Sequence, residues 1–140
     1  MHALCARLPS LTFLSLQEVT SLTQVGLRAV GRLTSLVSLD LSRRPNVTDV
    51  VLRELRKLSS LQLLALFECS KLTDVGLWEL RFLTMLTTLD LCGCCKITDG
   101  GLEHLSFLTA LSELYLFGTN TTKAGRNALK AALPALTIYP

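Results

Sequence analysis

Leucines recur along this chain every 25 residues, and this period constrains the fold more than any other feature of the sequence. The first leucine column contains Leu8, Leu33, Leu58, Leu83, Leu108 and Leu133. Columns with the same period run from Leu11 to Leu136, from Leu14 to Leu114 and from Leu16 to Leu116. Such a period is typical of a solenoid, in which each unit buries its apolar face only against its neighbours.

The period predicts one domain over residues 1–140, built from units of equal length. The units are expected at about 8–32, 33–57, 58–82, 83–107 and 108–132, with a closing half-unit at 133–140.

Within one unit, the residue pattern predicts a strand followed by a short helix. In the third unit Leu64 and Leu66 alternate with outward residues, as in a strand with one buried face. Thr73 or Asp74 is expected to cap the first turn of a helix, where free amides and the helix dipole favour such residues. We therefore expect parallel strands on one side of the molecule and helices on the other.

The motif LxxLxLxxCxxLTDxGLxxL, from Leu61 to Leu80, resembles the leucine-rich repeat family. Cys69 and Cys94 are similar to the cysteine of a subclass found in F-box adaptors and in many protozoan and bacterial repeat proteins. The resemblance implies an α/β right-handed horseshoe with a parallel sheet on the concave side and short helices on the convex side. It also implies a non-catalytic protein-protein interaction module or scaffold.

Two departures from the repeat carry expectations of their own. Arg44 stands in the cysteine column, and a buried, unpaired guanidinium is too costly, so this side chain must either turn outward or find partners. In the fifth unit, residues 122–124 replace the Leu-Thr-Asp signature. The helix of that unit is expected to lack the cap and to be shifted towards 127–132.

The outward strand positions form the concave face, which we predict to be the binding surface. Large apolar groups there are not needed by the core, and aromatic residues on a surface are typical interface anchors. With Glu18, Glu68 and Arg43 included, the face carries a net charge of −4, whereas the whole chain carries +3. The predicted partner is a protein or peptide of basic and apolar character. The candidate contact residues are Phe13, Asp40, Leu63, Phe67, Asp90, Cys92, Glu113, Tyr115 and Phe117.

The convex face is predicted to be a solvated helix surface with local ion pairs. Phe82 and Phe107 are expected to pack between helices, whereas Trp78 is a candidate for exposure. Two other functions remain open. The chain could be the substrate-recognition fragment of a ubiquitin-ligase adaptor, or a structural subunit of a large assembly that touches RNA through convex arginines. The small net charge makes nucleic acid the less expected partner.

No motif of a known catalytic site stands out, so we expect no enzyme activity, no small-molecule substrate and no cofactor. Residues 92–95 read Cys-Gly-Cys-Cys, but Cys92 and Cys94 should point to opposite faces, so no metal site is expected. Cys92 is the predicted reactive thiol, with Cys69 and Cys94 protected.

The expected location is intracellular, in the cytoplasm or nucleus. The count of five cysteines is odd, which favours reduced thiols, and the N-terminus does not resemble a signal peptide. No apolar run has the roughly 18–20 residues needed to span a membrane. The sequence leaves open whether the sequons at Asn46 and Asn120 are used.

Overall fold

The computed structural model describes residues 10–17, 19 and 21–140. In that part of the chain six short strands, all parallel, pair in sequence order. The strands are β1 (Phe13–Ser15), β2 (Ser38–Asp40), β3 (Leu63–Ala65), β4 (Thr88–Asp90), β5 (Glu113–Tyr115) and β6 (Thr137–Tyr139). This order confirms the predicted α/β solenoid. The first leucine column begins at Leu8, which, like Cys5 and Glu18, lies outside the described residues.

One helix follows each of the first five strands, and neighbouring helices pack side by side. The helices are α1 (Gln24–Ala29, continued by a 3-10 turn at Val30–Arg32), α2 (Asp49–Leu55), α3 (Asp74–Leu80), α4 (Asp99–Leu105) and α5 (Lys123–Ala132). Within the described ranges, no helix combines the length and the apolar character that crossing a membrane requires.

The leucine columns form the core between the sheet and the helices. Leu39, Leu64 and Leu89 lie directly opposite one another on adjacent strands and are fully buried. The burial of Leu66 and Leu91 confirms the predicted strand register. The first four strand pairs keep the 25-residue offset, but β5 and β6 are offset by 24, as Glu113 pairs with Thr137.

In the second, third and fourth units, the cysteine column supplies a hydrogen bond to the unit before it. The Cys69 thiol donates to the carbonyl of Leu41 at 3.3 Å, and the Cys94 thiol donates to that of Leu66 at 3.2 Å. Arg44 fills the same role, since its Nη1 donates to the carbonyl of Leu16 at 2.8 Å.

Arg44 is thus paired rather than turned outward. The residue is 2% exposed, and its Nη2 donates to the carbonyl of Leu22 at 3.0 Å. Its Nε has no hydrogen-bond partner among the described residues. The two carbonyls let this large cation occupy a position that a cysteine fills in the next two units.

Helix starts are linked across units by an aspartate–threonine clasp. Asp74, the first residue of α3, accepts the Thr98 backbone N–H at 2.8 Å and the Thr98 hydroxyl at 2.5 Å. Thr98 in turn caps α4 by accepting the N–H of Gly100 at 3.2 Å. Of the two predicted capping residues, the threonine is therefore the cap, whereas the aspartate binds the following unit. Asp49 clasps Thr73 in the same way.

The expectation for the fifth unit was wrong. Thr122 accepts the N–H of Gly125 at 3.2 Å, and Asp99 clasps Thr122 through both its N–H and its hydroxyl. Helix α5 begins at Lys123, 24 residues after the start of α4, and runs to Ala132. The loop is one residue shorter and the helix longer, so the cap is kept and the leucines return to their columns.

Candidate protein interface on the concave face

The parallel register arranges the outward side chains of the sheet in three columns. Within a column, successive side chains lie about 4.8 Å apart, the distance between neighbouring strands. Phe13, Ser38 and Leu63 are consecutive partners in the first column, which continues to Glu113. The second column runs from Ser15 through Asp40, Ala65 and Asp90 to Tyr115. The third follows the strand ends and contains Gln17, Ser42, Phe67, Cys92 and Phe117.

A left-handed residue follows each of the last four members of the third column. Gly93 and Gly118 have this left-handed backbone conformation, with φ of 74°, which costs glycine little free energy. Arg43 and Glu68 adopt it with φ of 57° despite their side chains, at roughly 1–2 kcal/mol each. Their charged groups meet at 3.2 Å, and the Arg43 guanidinium lies 5.3 Å from the centre of the Phe67 ring.

Several of the predicted anchors are widely exposed. Phe117 is 74% exposed and Phe13 is 63% exposed, while Leu63 is also open to solvent. Phe67 is half-buried beneath Arg43. These rings and the isobutyl group contribute little to the leucine core and leave apolar surface exposed on this face.

Tyr115 is stacked on a residue that sequence reasoning missed. Its ring lies 4.5 Å from that of Tyr139, and the two planes differ by 10°. The Tyr115 hydroxyl donates to Glu113 at 3.3 Å. Partial burial raises the pKa of Tyr115, and the negative charge of Glu113 raises it further. The 25-residue period places Tyr139 in the inward column of Leu114, and only the 24-residue offset of β6 brings it beside Tyr115.

The predicted acidic groups have local roles as well as charge. One carboxylate oxygen of Asp40 accepts the N–H of Ser42, and one of Asp90 accepts the N–H of Cys92, both at 2.9 Å. Each aspartate thus holds the turn that follows its strand, and the second oxygen of Asp40 also accepts the Ser15 hydroxyl at 3.5 Å. Since Arg43 and Glu68 neutralise each other, Asp40, Asp90 and Glu113 give the described part of this face its negative charge.

The environment of Cys92 disfavours the reactive thiol that we expected there. Burial raises the pKa of Cys92 to about 11, and a hydrogen bond with Asp90 and the charge of Asp90 contribute. Cys95 is the exposed thiol of the four described cysteines, all of which are free. Cys69 and Cys94 are buried, as predicted, and burial raises their pKa values to about 11 and about 12.

The structure brings most of the predicted site residues together at one end of the sheet. A compact group lies on and beside β3 to β5, and it contains Phe67, Asp90, Cys92, Glu113, Tyr115 and Phe117. Phe13, Asp40 and Leu63 lie towards the other end, on β1 to β3. Four strand spacings, about 19 Å, separate β1 from β5. Only an extended partner would contact both groups.

The convex face has the predicted ion pairs but not the predicted aromatic packing. Glu54 pairs with Arg28 and Lys57, and Glu79 pairs with Arg53 and Arg56. Phe82 and Phe107 were expected to pack between helices, yet both rings are exposed, and Phe107 meets Trp78 of α3 only edge-on. They lie in the turns that follow α3 and α4, beyond the positions that face the core.

Other chemistry has little support in the described residues. They contain no group of three or more histidine, cysteine, aspartate or glutamate side chains placed to hold a metal ion. The amide nitrogens of both sequon asparagines already donate to backbone carbonyls, Asn46 to Leu22 and Asn120 to Cys95, each at 2.6 Å.

Solved structures of leucine-rich repeat proteins resemble this solenoid. Internalin C2 of Listeria monocytogenes superposes with a TM-score of 0.73 at 27% sequence identity, over 96% of this chain and 53% of that protein. A leucine-rich repeat protein of Leptospira interrogans gives a TM-score of 0.72 at 23% identity, over 99% of this chain and 33% of that protein. The chain thus spans about half the length of the first and a third of the second.

No protein-family model matches the sequence, and no curated protein does. The structural likeness and the six-stranded parallel sheet establish a leucine-rich repeat solenoid. In general terms they also support a protein-interaction module, because solenoids of this kind present extended concave surfaces to their partners.

Proposed function

We propose that the chain is a non-catalytic protein-interaction module that binds a basic and apolar segment of a partner protein on its concave face. The observation that carries this proposal is the wide exposure of Phe117 and Phe13 on a sheet face whose neighbouring carboxylates leave it negatively charged. The core is complete without these side chains, so their placement has no evident role in folding.

The group on β3 to β5 has the composition of an interface centre. Phe117, Phe67 and the stacked pair of Tyr115 and Tyr139 offer rigid aromatic surface, which contributes binding energy with little loss of side-chain entropy. Asp90 and Glu113 lie beside these rings and would attract lysine or arginine side chains of the partner. Such charges mainly accelerate association.

Backbone strain next to Phe67 also supports the proposal. Arg43 and Glu68 occupy left-handed positions where the next two units have glycine, although glycine would be more stable there. Strain of this kind often persists at functional sites. The Arg43–Glu68 pair orients the Phe67 ring and forms the rim of the proposed interface.

The proposed setting is the cytoplasm or nucleus, where cysteines stay reduced. All four described cysteines are free thiols, and Cys69 and Cys94 use theirs to bond the preceding unit. Disulfides rarely persist in those compartments.

A peptide selection followed by affinity measurements tests the proposed interface. Peptides selected from a random display library by the intact chain should contain basic and apolar residues. Replacing Phe117 and Phe67 by alanine should weaken their binding at least about 30-fold, which corresponds to about 2 kcal/mol. Val25→Ala is the matched control, because it removes an exposed apolar group of α1, away from the concave face, and should leave affinity unchanged.

The charge contribution needs variants that keep the turns intact. Asp40→Asn and Asp90→Asn remove the charge but keep an oxygen that can accept the N–H of Ser42 or Cys92. They should slow association, and the difference from the parent chain should shrink in high salt. Full affinity in the double phenylalanine variant would refute the concave site. Loss of binding only on changing Arg53 and Arg56 would instead favour the assembly and RNA alternative.

A further inference from the structure

A strip of aromatic rings and guanidinium groups runs across the convex face, away from the proposed concave interface. The Arg81 guanidinium lies 3.8 Å from the centre of the Trp78 ring and 4.1 Å from that of Phe82. Arg56, from the preceding unit, lies 5.7 Å from the same Phe82 ring. Phe107, from the following unit, meets Trp78 edge-on at 6.4 Å. These five residues, here called the convex strip, span three successive units.

The fold does not require aromatic residues at these positions. The equivalents of Phe82 in the first two units are Arg32 and Lys57, and one equivalent of Trp78 is Arg53. Trp78, Phe82 and Phe107 are 41%, 44% and 57% exposed. Since neighbouring units are stable with hydrophilic side chains there, the apolar area of the strip is not explained by the core.

The strip and its surroundings carry an excess of positive charge. The strip contains Arg56 and Arg81, and Arg53 is a third cation of the same helix side; the Glu79 carboxylate pairs with Arg53 and Arg56. Arg81 contacts no carboxylate of the described residues, and its Nη1 donates to the carbonyl of Trp78 at 2.7 Å. Because its planar face is stacked on aromatic rings, the guanidinium is held in place with N–H groups left to donate. A fixed guanidinium of this kind suits a carboxylate, which can accept two parallel hydrogen bonds.

We propose that the convex strip is a second docking surface, beyond the concave function, for an acidic protein segment that carries an apolar side chain. Carboxylates of that segment bind Arg81 and Arg56, and its apolar side chain packs between Phe82 and Phe107. RNA fits less well, because bases need free ring faces for stacking. Here guanidinium groups already cover Trp78 and Phe82, and the charge excess is only two.

The single tryptophan of the chain provides a direct readout, since Trp78 belongs to the strip. The probe is a nine-residue peptide with one phenylalanine and one leucine, flanked by glutamates, titrated against the intact chain. Binding should shift Trp78 emission to shorter wavelengths, because the ring loses solvent contact. The same peptide with lysine in place of every glutamate should bind at least ten-fold more weakly. Added salt should lower the affinity of the chain for the acidic peptide.

Substitutions drawn from the neighbouring units then locate the site. Phe82→Lys copies the second unit, and Arg81→Ser copies Ser106 of the fourth, so both variants should fold like the parent. Each variant should bind the acidic peptide at least ten-fold more weakly than the parent chain, whereas Phe117→Ala on the concave face should leave the affinity for this peptide unchanged. Circular dichroism and the thermal midpoint confirm folding.

Four results would each overturn the docking surface. The first is an unchanged Trp78 emission at millimolar acidic peptide, and the second is an affinity for the lysine peptide equal to that for the acidic peptide. The third is full affinity for the acidic peptide in both strip variants. The fourth is tighter binding of a single-stranded RNA 12-mer than of the acidic peptide. None of them bears on the concave interface, which is tested with its own selected peptides and with the loss of their binding in the Phe117 and Phe67 variants.

Discussion

Two adjacent glycines in α4 should respond in opposite ways to the same substitution. Alanine is normally more stable than glycine in a helix, by up to about 1 kcal/mol. A methyl group at Gly101 would lie 2.4 Å from Oδ1 of Asp74, the oxygen that accepts the Thr98 N–H. At Gly100 the closest atom, Oδ2 of the same aspartate, would be 3.3 Å away, which a small adjustment can accommodate.

The expected free energies follow from this geometry. Gly101→Ala must displace the Asp74 carboxylate, whose hydrogen bonds to Thr98 together stabilise the fold by roughly 2 kcal/mol. After the helix gain of about 1 kcal/mol is subtracted, the variant should be less stable than the parent by about 1 kcal/mol. Gly100→Ala should be equally stable or up to about 1 kcal/mol more stable. Urea denaturation of the three proteins measures the differences.

A double-mutant cycle shows whether the clasp is the cause. With Asp74→Ala already present, the carboxylate is gone, and Gly101→Ala should become neutral or stabilising. If Gly101→Ala is at least as stable as Gly100→Ala in the parent background, the clasp does not link the units as described.

Three further predictions concern the core, the response to acid and the thiols. Leu89→Ala should lower the free energy of unfolding by roughly 2–5 kcal/mol, as Leu89 is fully buried in β4; a loss well under 1 kcal/mol in urea denaturation would contradict the register. Hydrogen bonds from Thr122 lower the pKa of Asp99 below its unfolded value near 3.9, so the stability it contributes is present above that value and is lost as pH falls through the folded pKa. The thermal midpoint should therefore fall as the pH is lowered below about 4, and it should fall less in the Asp99→Asn variant. An equal fall in both proteins would argue against the clasp. Thiol titration of the native chain should modify Cys95 first, Cys92 slowly, and Cys69 and Cys94 only on unfolding; rapid modification of Cys69 would contradict the buried column.

The sequence predicted the solenoid because one physical constraint repeats in every unit. A leucine that must be buried in one unit must be buried at the same place in the next, so the columns determine the strand register. The threonines before the first four helices could be predicted for the same reason, since these helices begin at the same distance from their leucines.

Contacts between unlike positions were harder to predict. The 25-residue spacing placed the fifth helix too late because the pattern does not show that a shorter loop and a longer helix can compensate. The sequence showed that Arg44 had to be either paired or turned outward, but it could not decide between the two. The partners of Arg44 are backbone carbonyls of the preceding unit, which no side-chain pattern reveals.

The candidate site was predictable in its location and less so in its chemistry. The alternation of strand residues identified which side chains face outward, including Phe67 and Phe117. It could not show that Asp90 holds a turn and raises the pKa of Cys92, because that contact depends on the backbone between them. Exposure of Phe82 was missed because apolar residues near helix ends usually pack against a neighbour.

The proposed concave interface is tested most directly by the alkylation rate of Cys92 in the presence of a bound partner. Cys92 lies between Phe67 and Phe117 in the third column, whereas Cys95 is exposed on the following loop and serves as an internal reference. Mass spectrometry follows both thiols at a pH where Cys92 reacts measurably, with and without a saturating selected peptide. We expect at least ten-fold slower alkylation of Cys92 and an unchanged rate at Cys95. An unchanged rate at Cys92 under saturation would contradict binding on the concave face.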